Sequence, residues 1–343
     1  MEKNMEFNCG IVGCGGIAQV HAETLHRLPG VKISACADIR PERAEAMGEK
    51  YGCLSYSSLE EMLEKEKLDA LHICTPHYLH VPMAEAAIAK GLAVFTEKPP
   101  AISMEQWERF SYLEQKGFLS VCFQNRYNDS VQYCKELLSS GKLGKIQGAR
   151  AFVTWSRDKA YYTESGWRGS LETEGGGVLI NQSIHTLDLL TQFLGRPDWT
   201  EAKISNHHLK GVIQVEDTME AYGDFQGIPA LFYATTAYCS NSPVLVELSC
   251  EKGVLRMEET RVECILNDGS REEKDFARRE TLGKDYWGSS HGRCIEDFYN
   301  RLRKGEKPPI PPSSVKDTAE WMLCIYSSAR EKNGNTVLLP EIG

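Results

Sequence analysis

The sequence predicts a two-domain α/β protein in which a doubly wound parallel sheet is followed by a mostly antiparallel sheet with flanking helices. Short apolar strands alternate with helices through the first third of the chain, and longer strands with alternating polarity follow. A length of 343 residues is long for one domain and comfortable for two. We therefore place the first domain at residues 1–125 and the second at residues 126–343.

The first domain repeats a unit in which a helix ends in a glycine and a buried strand begins at once. This pattern occurs at Gly30, Gly91 and Gly117, where glycine accepts the left-handed conformation that ends a helix. The strands are apolar without alternation, as expected of a parallel sheet covered on both faces. We predict strands at 8–13, 31–37, 69–74, 92–96 and 118–123, with capping boxes at Ser58-x-x-Glu61 and Ser103-x-x-Gln106.

The second domain is predicted to begin with a helix at about 129–139. Alternation of apolar and polar residues then indicates an antiparallel sheet. We predict its strands at 146–156, 202–208, 218–225, 230–239, 244–250 and 253–257. A helix from about Gly177 to Leu194 interrupts the sheet, and two late helices are predicted at about 291–303 and 314–331.

Composition and charge narrow the class of protein. A formal net charge of −9 without a basic stripe argues against a nucleic-acid partner. No apolar run approaches the roughly 18 residues that a membrane span requires, and the first residues lack the apolar core of a signal peptide. Twelve cysteines without a Cys-x-x-Cys pair are typical of buried thiols in a reducing compartment. We therefore expect a cytoplasmic protein with a small-molecule partner.

A nucleotide-binding pattern lies at the end of the first strand, where Gly13-x-Gly15-x-x-Ala18 leads into a helix. The glycines permit a tight turn and close approach of a pyrophosphate, and the small residue lets the helix pack on the strand. The pyrophosphate would bind the free N–H groups at that helix N-terminus. The next strand ends in Asp38, whose carboxylate could accept hydrogen bonds from a ribose. These features favour a dinucleotide site over a glycine turn in another α/β unit with a surface aspartate.

A lysine follows the predicted strand at 92–96, in the sequence Glu97-Lys98-Pro99. Ligands bind at the carboxyl ends of strands in open α/β sheets. Lys98 could therefore donate to a reacting oxygen, and partial desolvation would lower its pKa. The alternative is a salt bridge between Lys98 and Glu97.

A later helix carries Asn181, His185 and Asp188 at i, i+4 and i+7, which places them on one face. An uncharged imidazole beside a lysine could take a hydroxyl proton while hydride leaves the same carbon. The alternatives are a hydrogen-bonded core histidine and a metal site with N and O ligands. We predict no metal.

The ordered motifs resemble the Gfo/Idh/MocA family (glucose–fructose oxidoreductase, inositol dehydrogenase, MocA) over nearly the whole chain. The motifs are the glycine turn, Cys74-Thr75-Pro76-His77-Tyr78-Leu79-His80, Glu97-Lys98-Pro99, Gly166-Trp167-Arg168-Gly169 and the segment from Gly175 to Asp188. The resemblance implies an NAD(P)-dependent oxidoreductase with a Rossmann domain that acts on a sugar, cyclitol or related polyol. It also implies an open-faced second sheet used to form a homodimer or homotetramer, and a frequently cis bond before Pro99.

The resemblance implies roles for individual residues. Lys98 and His185 are the catalytic pair, while Asn181 orients a substrate hydroxyl and Asp188 is structural. The substrate-binding candidates are Asn181, Trp167, Arg168, Arg126 and Tyr127. The cofactor-binding candidates are Gly13, Gly15, Gly16, Ile17, Ala18, Asp38, Ile39, Arg40, Thr75, Pro76, His77, His80, Glu97, Lys98 and Asn125. Packing is the alternative role for Trp167, Arg168 and His80, and His291 is a further candidate.

The sequence departs from the family pattern at two positions that bear on chemistry. His77 stands where the family usually has asparagine, at a position that binds cofactor largely through its backbone. Asn181 stands where aspartate is frequent, which removes one candidate proton acceptor and puts a two-acid mechanism in doubt. Asp38 favours NAD because a carboxylate repels a 2′-phosphate, although Arg40 leaves room for NADP.

Two other functions compete with a dehydrogenase. One is an NAD-dependent glycosidase, in which transient oxidation allows elimination of a leaving group without net NADH. The other is a non-catalytic sensor of NAD or another ligand, although such a protein has no need of both Lys98 and His185.

Overall fold

The structure is a computed structural model that describes residues 6–276, 290–330 and 337–339. Within these ranges the chain forms two compact units, each with its own sheet. The first unit comprises residues 6–101, 105–124 and 290–315, and the second comprises residues 102–104, 125–276, 316–330 and 337–339. None of the helices in these ranges is long and apolar enough to cross a bilayer.

The chain begins with β1 (Phe7–Val12), α1 (Gly16–Arg27), β2 (Val31–Ala37), α2 (Pro41–Tyr51), β3 (Leu54–Tyr56), α3 (Leu59–Lys65), β4 (Ala70–Ile73), α4 (His80–Ala89), β5 (Ala93–Thr96), α5 (Met104–Leu113) and β6 (Leu119–Val121). It continues with α6 (Asp129–Ser139), β7 (Ile146–Thr154), α7 (Lys159–Thr163), α8 (Ile184–Leu194), β8 (Trp199–Ser205), β9 (Thr218–Phe225), β10 (Ile228–Thr235), β11 (Leu245–Cys250), β12 (Gly253–Glu258), β13 (Arg261–Leu266) and β14 (Arg271–Asp275). The last elements are α9 (His291–Lys304), α10 (Lys316–Arg330) and β15 (Val337–Leu338). A π-helical turn at Leu179–Ser183 leads directly into α8.

The first unit is built on a parallel sheet with the strand order β3-β2-β1-β4-β5-β6. Because β1 lies between β2 and β4, the strand order reverses at β1, and ligands bind outside the carboxyl ends of strands at such a point. Gly13 follows β1, Cys74 follows β4 and Glu97 follows β5. The sheet therefore brings the glycine turn and the lysine segment to the same edge.

Helix α9 returns to this first unit late in the chain. It packs on α1 and β5, and Phe298 is fully buried with its ring 5.3 Å from that of Phe95 and 5.1 Å from that of Phe118. Burial of one phenylalanine contributes on the order of 2 kcal/mol. This packing explains why residues 290–315 belong with the parallel sheet of the first unit.

The second unit is built on a sheet with the order β14-β13-β12-β11-β7-β10-β9-β8-β15. Its pairs are antiparallel apart from β7 with β10, which is parallel. Helices α8 and α10 pack on it, and Trp321 of α10 is buried with its ring 5.0 Å from that of Phe225. On β10, Ala230 and Phe232 are buried whereas Leu231 between them is 44% exposed.

The structure confirms the predicted fold class, and α6 and β9 have the predicted bounds. Four strands were not predicted: β3 and β15 are short, β13 follows closely on β12, and β14 (Arg-Glu-Glu-Lys-Asp) has no apolar residue.

Two further expectations need correction. Gly117 is outside the left-handed region, and a Cβ there would lie 3.1 Å from Ile88, so this glycine serves helix packing. The second unit takes up the chain at residue 125 and also holds residues 102–104, which we placed in the first domain, while residues 290–315, which we placed in the second domain, lie in the first unit.

Candidate active site

The glycine turn after β1 has the backbone that a pyrophosphate requires. Gly13 has φ +83°, and a Cβ on it would lie 2.7 Å from the carbonyl oxygen of Cys74, so only glycine fits. Gly15 precedes α1, and a Cβ on Gly16 would meet nothing within 4 Å. The N-terminus of α1 has no side-chain cap and no acidic residue in its first turn. Its N–H groups and positive end are therefore suited to an anion, while buried Ala18 packs on the sheet.

Asp38 directly follows β2 and is hydrogen-bonded to this turn. Its Oδ2 atom accepts a hydrogen bond from the Cys14 N–H (2.7 Å), and its Oδ1 atom accepts one from the Arg40 N–H (2.8 Å). Each carboxylate oxygen can accept a further hydrogen bond, so a ribose diol can still bind there. Ile39 beside it is 87% exposed, and Ile17 on α1 is partly buried.

His80 holds the segment that follows β4 through contacts of its ring with two main-chain carbonyl oxygens. The Nδ1 atom of His80 lies 2.9 Å from the carbonyl oxygen of Pro99, and its Nε2 atom lies 2.9 Å from that of Thr75. Burial lowers the pKa of His80, although both carbonyl contacts oppose that effect. His80 was a cofactor-binding candidate, but the structure places both of its ring nitrogens against main-chain oxygens. Thr75 and Pro76 are partly exposed, whereas His77 is buried.

Lys98 lies just past β5 and is partly exposed, and the peptide bond between it and Pro99 is cis. Glu97 before it is buried, and its Oε1 atom lies 3.0 Å from His21 Nε2 and 3.9 Å from His291 Nε2. Burial alone would raise the pKa of Glu97, but the hydrogen bond from His21 and the nearby positive groups, Lys98 among them, hold it well below its usual range. Glu97 is therefore a buried carboxylate held by histidines.

The contact between His21 and Glu97 continues into the core of the first unit. His21 Nδ1 lies 3.0 Å from His72 Nδ1, and His72 Nε2 lies 3.0 Å from the Tyr299 hydroxyl. All three side chains are fully buried, and burial lowers the pKa of His72. We did not single out His21, His72 or Tyr299 from the sequence. The sequence signal that could have identified this cluster was His72, a histidine inside the apolar strand β4. A buried imidazole needs a polar partner.

Within the described ranges, one cluster of three buried side chains has the residue types that bind metal ions. His21, Glu97 and Cys122 offer atoms within 4.8 Å of one another. Two of these atoms already hydrogen-bond to each other, which satisfies them without an ion. Burial lowers the pKa of the neighbouring His291 to about 4, although the negative charge of Glu97 acts to raise that pKa.

In the second unit, Asn181 lies in the π-helical turn and His185 in the first turn of α8. Asn181 is 8% exposed, and His185 is the one residue between Leu179 and Leu190 that is not buried. The Oε1 atom of Glu216 accepts from the Leu179 N–H (3.1 Å) and its Oε2 atom from the Gly177 N–H (2.9 Å). A buried carboxylate therefore supports the start of this helical segment, a role not predicted from the sequence.

The glycine run before this turn is needed for close packing. A Cβ on Gly176 would lie 2.0 Å from the Tyr326 hydroxyl, and a Cβ on Gly177 would lie 1.9 Å from the carbonyl oxygen of Glu216. Tyr326 in turn donates to Glu216 Oε1 at 2.8 Å. Residues with side chains would therefore displace the turn that carries Asn181.

Glu174 precedes this run of glycines, and the sequence analysis did not predict a role for it. It is fully buried, with Oε1 accepting from Asn181 Nδ2 (2.6 Å) and Oε2 accepting from the Gly169 N–H (2.5 Å). Burial raises the pKa of Glu174 to about 7, with these hydrogen bonds and Arg168 opposing.

Two of the three residues predicted to share a helix face have different partners, Glu174 for Asn181 and Arg126 for Asp188. Asp188 forms a bidentate ion pair with Arg126, with Nε to Oδ2 at 2.8 Å and Nη2 to Oδ1 at 2.5 Å. The Asp188 Oδ1 atom also accepts from the Thr318 hydroxyl at 2.8 Å. Arg126 was a substrate-binding candidate, but its side chain is only 10% exposed and a buried carboxylate holds it. Asn125 and Tyr127 beside it are partly exposed.

The loop with Trp167 and Arg168 is packed on aromatic rings. The Arg168 guanidinium carbon lies 4.7 Å from the centre of the Trp167 ring and 4.6 Å from that of Tyr161. The Tyr161 hydroxyl accepts from Gln182 Nε2 at 3.1 Å. The loop is thereby linked to the residue next to Asn181. The predicted site residues thus form two groups, one in each unit.

Comparison with known proteins shows two matches that together span more than half of the chain. Residues 7–122 match the family model of the oxidoreductase family with an NAD-binding Rossmann fold. Residues 131–256 match the model of the GFO/IDH/MocA C-terminal domain.

The individual relatives share no more than about a third of their residues with this chain over the aligned regions. The chain is 30% identical to D-glucoside 3-dehydrogenase of Escherichia coli over 63% of this chain and 61% of that protein. It thus matches less than two thirds of that relative. It is 28% identical to trans-1,2-dihydrobenzene-1,2-diol dehydrogenase of Mus musculus over 97% of this chain and 98% of that protein. Among solved structures, the WlbA dehydrogenase of Bordetella pertussis in complex with NADH and UDP-GlcNAcA is 28% identical, with a TM-score of 0.85 over 98% of this chain and 100% of that chain.

Proposed function

The chain belongs to the Gfo/Idh/MocA family of NAD-binding oxidoreductases, and we propose that it transfers a hydride between nicotinamide and a sugar, cyclitol or related polyol. The observation that carries the proposal is one edge of the first sheet, where the uncapped start of α1 follows β1, Asp38 follows β2 and Lys98 follows β5. A dinucleotide turn and a lysine at the same sheet edge suit oxidation of an alcohol or reduction of a carbonyl. The glucoside dehydrogenase and the WlbA complex with a nucleotide sugar support a sugar-like substrate.

The residues present fit a dinucleotide. The pyrophosphate would lie on the N–H groups of the turn from Gly13 to Gly16, where a Cβ on Gly16 would meet no protein atom within 4 Å. Asp38 would accept the ribose hydroxyls, and its negative charge favours NAD over NADP. The segments from Thr75 to His77 and from Glu97 to Lys98, at the same sheet edge, would complete the cofactor site.

Nicotinamide supplies or accepts the hydride when it is bound. Lys98 donates a hydrogen bond to the substrate oxygen and lowers the pKa of the hydroxyl. His185 takes the hydroxyl proton in the oxidation and returns it in the reduction. Asn181 orients a substrate hydroxyl through its amide. Trp167, Arg168 and Tyr127 are further substrate contacts of the second unit, while Arg126 acts through Asp188 as a support of α8.

We further propose that the second sheet forms a homodimer or homotetramer interface. Leu231 and Tyr222 on its outer face are 44% and 40% exposed. A depression of about 430 Å³ on the same unit is lined by Phe152, Thr154, Tyr233, Tyr238, Pro243, Leu245 and Glu258. Apolar side chains that are exposed together on one sheet face are typical of subunit interfaces.

A cytoplasmic location completes the proposal. All twelve cysteines are free thiols, and all but Cys53 and Cys239 are buried. This composition suits a reducing compartment.

The proposal is tested by incubating purified protein with NAD and a panel of inositols, aldoses, glycosides and sugar acids, while absorbance records NADH. Formation of NADH with at least one polyol supports it. Release of free sugar without net NADH would identify the glycosidase alternative. Tight binding of NAD without conversion of any substrate in the panel, in either direction, would identify a sensor.

A further inference from the structure

The Arg168 guanidinium lies over two aromatic rings of the second unit. Its central carbon is 4.7 Å from the centre of the Trp167 ring and 4.6 Å from that of the Tyr161 ring. All three side chains are partly exposed, so a molecule in solution can reach them. Aromatic faces stabilise the positive charge, but they offer no lone pairs to the five N–H donors of a guanidinium. The rings therefore pack against Arg168 without satisfying its hydrogen bonds.

The part of the chain that the structure describes provides no hydrogen-bond acceptor for this guanidinium. The Arg168 Nε atom is buried and has no hydrogen-bond partner among these residues, and none of their carboxylates forms an ion pair with it. A buried donor of a charged group that lacks an acceptor is unfavourable, and native structures seldom contain one without a reason. A ligand that brings its own acceptor atoms would supply the missing partner.

A second arginine beside Tyr161 is already bound by the protein. The Arg157 guanidinium carbon lies 5.4 Å from the centre of the Tyr161 ring, and Arg157 is 7% exposed. Its Nη1 atom donates to the Ser156 carbonyl oxygen at 2.6 Å and to Asn241 Oδ1 at 3.0 Å. The fold thus supplies oxygen acceptors to one of the two guanidiniums on this ring. Within the described residues it supplies none to Arg168, which is the one suited to a ligand.

The carboxyl group of Glu174 does not neutralise Arg168 by direct contact. Burial raises the pKa of Glu174 to about 7, and the positive charge of Arg168 is one of the effects that oppose this rise, so the two groups interact electrostatically. The Glu174 oxygens nevertheless accept from other donors, Oε1 from Asn181 Nδ2 at 2.6 Å and Oε2 from the Gly169 N–H at 2.5 Å. When Glu174 is ionised, its charge repels additional negative charge on a ligand. A monoanion therefore suits this position better than a dianion.

Tyr161 also connects Arg168 to a buried amide. Gln182 is 7% exposed, and its Nε2 atom donates to the Tyr161 hydroxyl at 3.1 Å. The Gln182 Oε1 atom is buried and has no hydrogen-bond partner among the described residues. An amide oxygen accepts hydrogen bonds, so it can bind a hydroxyl group. A donor for an anion and an acceptor for a hydroxyl thus both contact one tyrosine, and Gln182 is next to Asn181 in the chain.

We propose that Arg168 binds a carboxylate of the substrate, so that the protein acts on a polyol acid, such as an aldonic or uronic acid, in preference to a neutral polyol. A planar guanidinium matches a carboxylate through two parallel hydrogen bonds. Gln182 Oε1 accepts from a hydroxyl of the same molecule. A phosphate ester carries more negative charge near neutral pH than a carboxylate does, which Glu174 disfavours. The inference rests on the proposed function, because the bound acid is also the molecule that gives up hydride.

Matched substrates test the preference. Purified protein is supplied with NAD and with compounds that differ in the acid group, D-gluconate against D-glucitol and D-glucuronate against D-glucose, with D-glucose 6-phosphate as the phosphate arm. A hydrogen-bonded charged contact is worth about 10–100-fold in affinity. We therefore expect kcat/KM to be higher by about tenfold or more for an acid than for its neutral partner. Equal or higher values for the neutral partners, or preference for the sugar phosphate, would overturn the inference and leave the dehydrogenase assignment in place.

Variants assign the preference to Arg168. Arg168→Met keeps an aliphatic chain against the rings but removes the charge and the N–H donors. We expect it to lower the ratio of kcat/KM between an acid and its neutral partner by about 10–100-fold, mostly through KM. Arg168→Lys, which keeps the charge without the planar fork, should retain part of the preference. Arg271→Met is the control, because Arg271 belongs to the same unit and its side chain is 68% exposed. An unchanged ratio in Arg168→Met would overturn the inference.

A binding measurement separates this inference from the proposed function. Calorimetric titration of D-gluconate and D-glucuronate into protein loaded with NADH needs no turnover, and NAD is titrated separately. Weaker binding of an acid to Arg168→Met than to wild type, with unchanged NAD affinity, supports the carboxylate site. If the same protein forms no NADH with any compound, the dehydrogenase assignment fails and the carboxylate site stands. Weaker NAD binding by Arg168→Met would assign Arg168 to the cofactor, and that result, or failure of both acids to bind wild type, would overturn the inference.

Discussion

Asp38 accepts a hydrogen bond from the backbone N–H of Cys14 at 2.7 Å, so the acid that follows β2 holds the glycine turn as well as being the proposed contact to the ribose. The carboxylate thus combines an observed structural contact with a proposed role in cofactor choice, and substitutions can separate the two. One is support of the turn, which any acceptor at this point provides. The other is its negative charge, which disfavours a 2′-phosphate.

The first prediction concerns cofactor choice. Asp38→Ser removes the charge and should raise the affinity for NADP relative to NAD, because Arg40 is then available to the phosphate. Asp38→Asn is the matched control, since it retains an oxygen that can accept from Cys14. Titration of both cofactors into the three proteins measures the effect. Wild-type protein that binds NADP more tightly than NAD would contradict the assignment of Asp38.

The second prediction concerns the buried pair of His21 and Glu97. His21→Ala leaves a buried carboxylate without its nearest donor, which typically costs about 3–5 kcal/mol in the free energy of unfolding. His26→Ala on the same helix is the control, because His26 is exposed and such changes stay within about 0.5 kcal/mol. Urea unfolding compares the two. Equal stability of both variants would show that the pair does not support the Lys98 segment.

The third prediction concerns pH and Glu174. Burial raises its pKa from 4.5 to about 7 in the folded state, so the folded protein binds this proton more tightly than the unfolded chain. The stabilisation from the protonated group is complete below about pH 4.5 and is lost as the pH rises to about 7. Wild type should therefore lose about 3 kcal/mol relative to Glu174→Gln across this window. Denaturant unfolding at several pH values measures it, and a reversed slope would mean that the folded state favours the carboxylate.

The fourth prediction concerns assembly. Leu231→Arg places a charge on the outer face of the second sheet, where the side chain is already 44% exposed, so folding should be unaffected. An interface across this face should dissociate, because a buried unpaired charge is costly. Sedimentation at micromolar concentration shows the result. A monomeric wild-type protein would remove the proposed interface, and an unchanged Leu231→Arg assembly would place it elsewhere.

The sequence was sufficient to predict a structural element wherever the residues that determine that element are close together in the chain. The turn after β1 needs glycine at position 13 because the backbone there has φ +83°, and such a local requirement leaves a sequence pattern. Regular alternation likewise defined β9. Where the determinant is a distant partner, local patterns carry no information.

Three parts of the site illustrate that limit. Arg126 was assigned to the substrate because of its position, but its partner Asp188 comes 62 residues later. Glu216 supports the π-helical turn from 37 residues beyond Leu179. Helix α9 returns to the first unit through Phe298, whose contacts with Phe95 and Phe118 join distant parts of the chain.

The fifth prediction concerns the catalytic pair. His185→Ala should depress turnover by about 10²–10⁴-fold, the usual cost of losing a positioned general base, while NAD affinity barely changes. Lys98→Ala should depress turnover and also weaken substrate binding. Initial rates and cofactor titrations distinguish the two. A His185→Ala enzyme with near-normal turnover would assign the proton to another group, with Lys98 the next candidate.

Isotope transfer tests hydride chemistry most directly. A polyol that carries deuterium on the carbon of the reacting hydroxyl is mixed with NAD and wild-type protein, and the reduced cofactor is analysed by mass spectrometry. We expect NADH that contains the deuterium to accumulate with wild type and to form far more slowly with Lys98→Ala and His185→Ala. If no labelled reduced cofactor accumulates with any polyol, although NAD binds, the protein is not a polyol dehydrogenase.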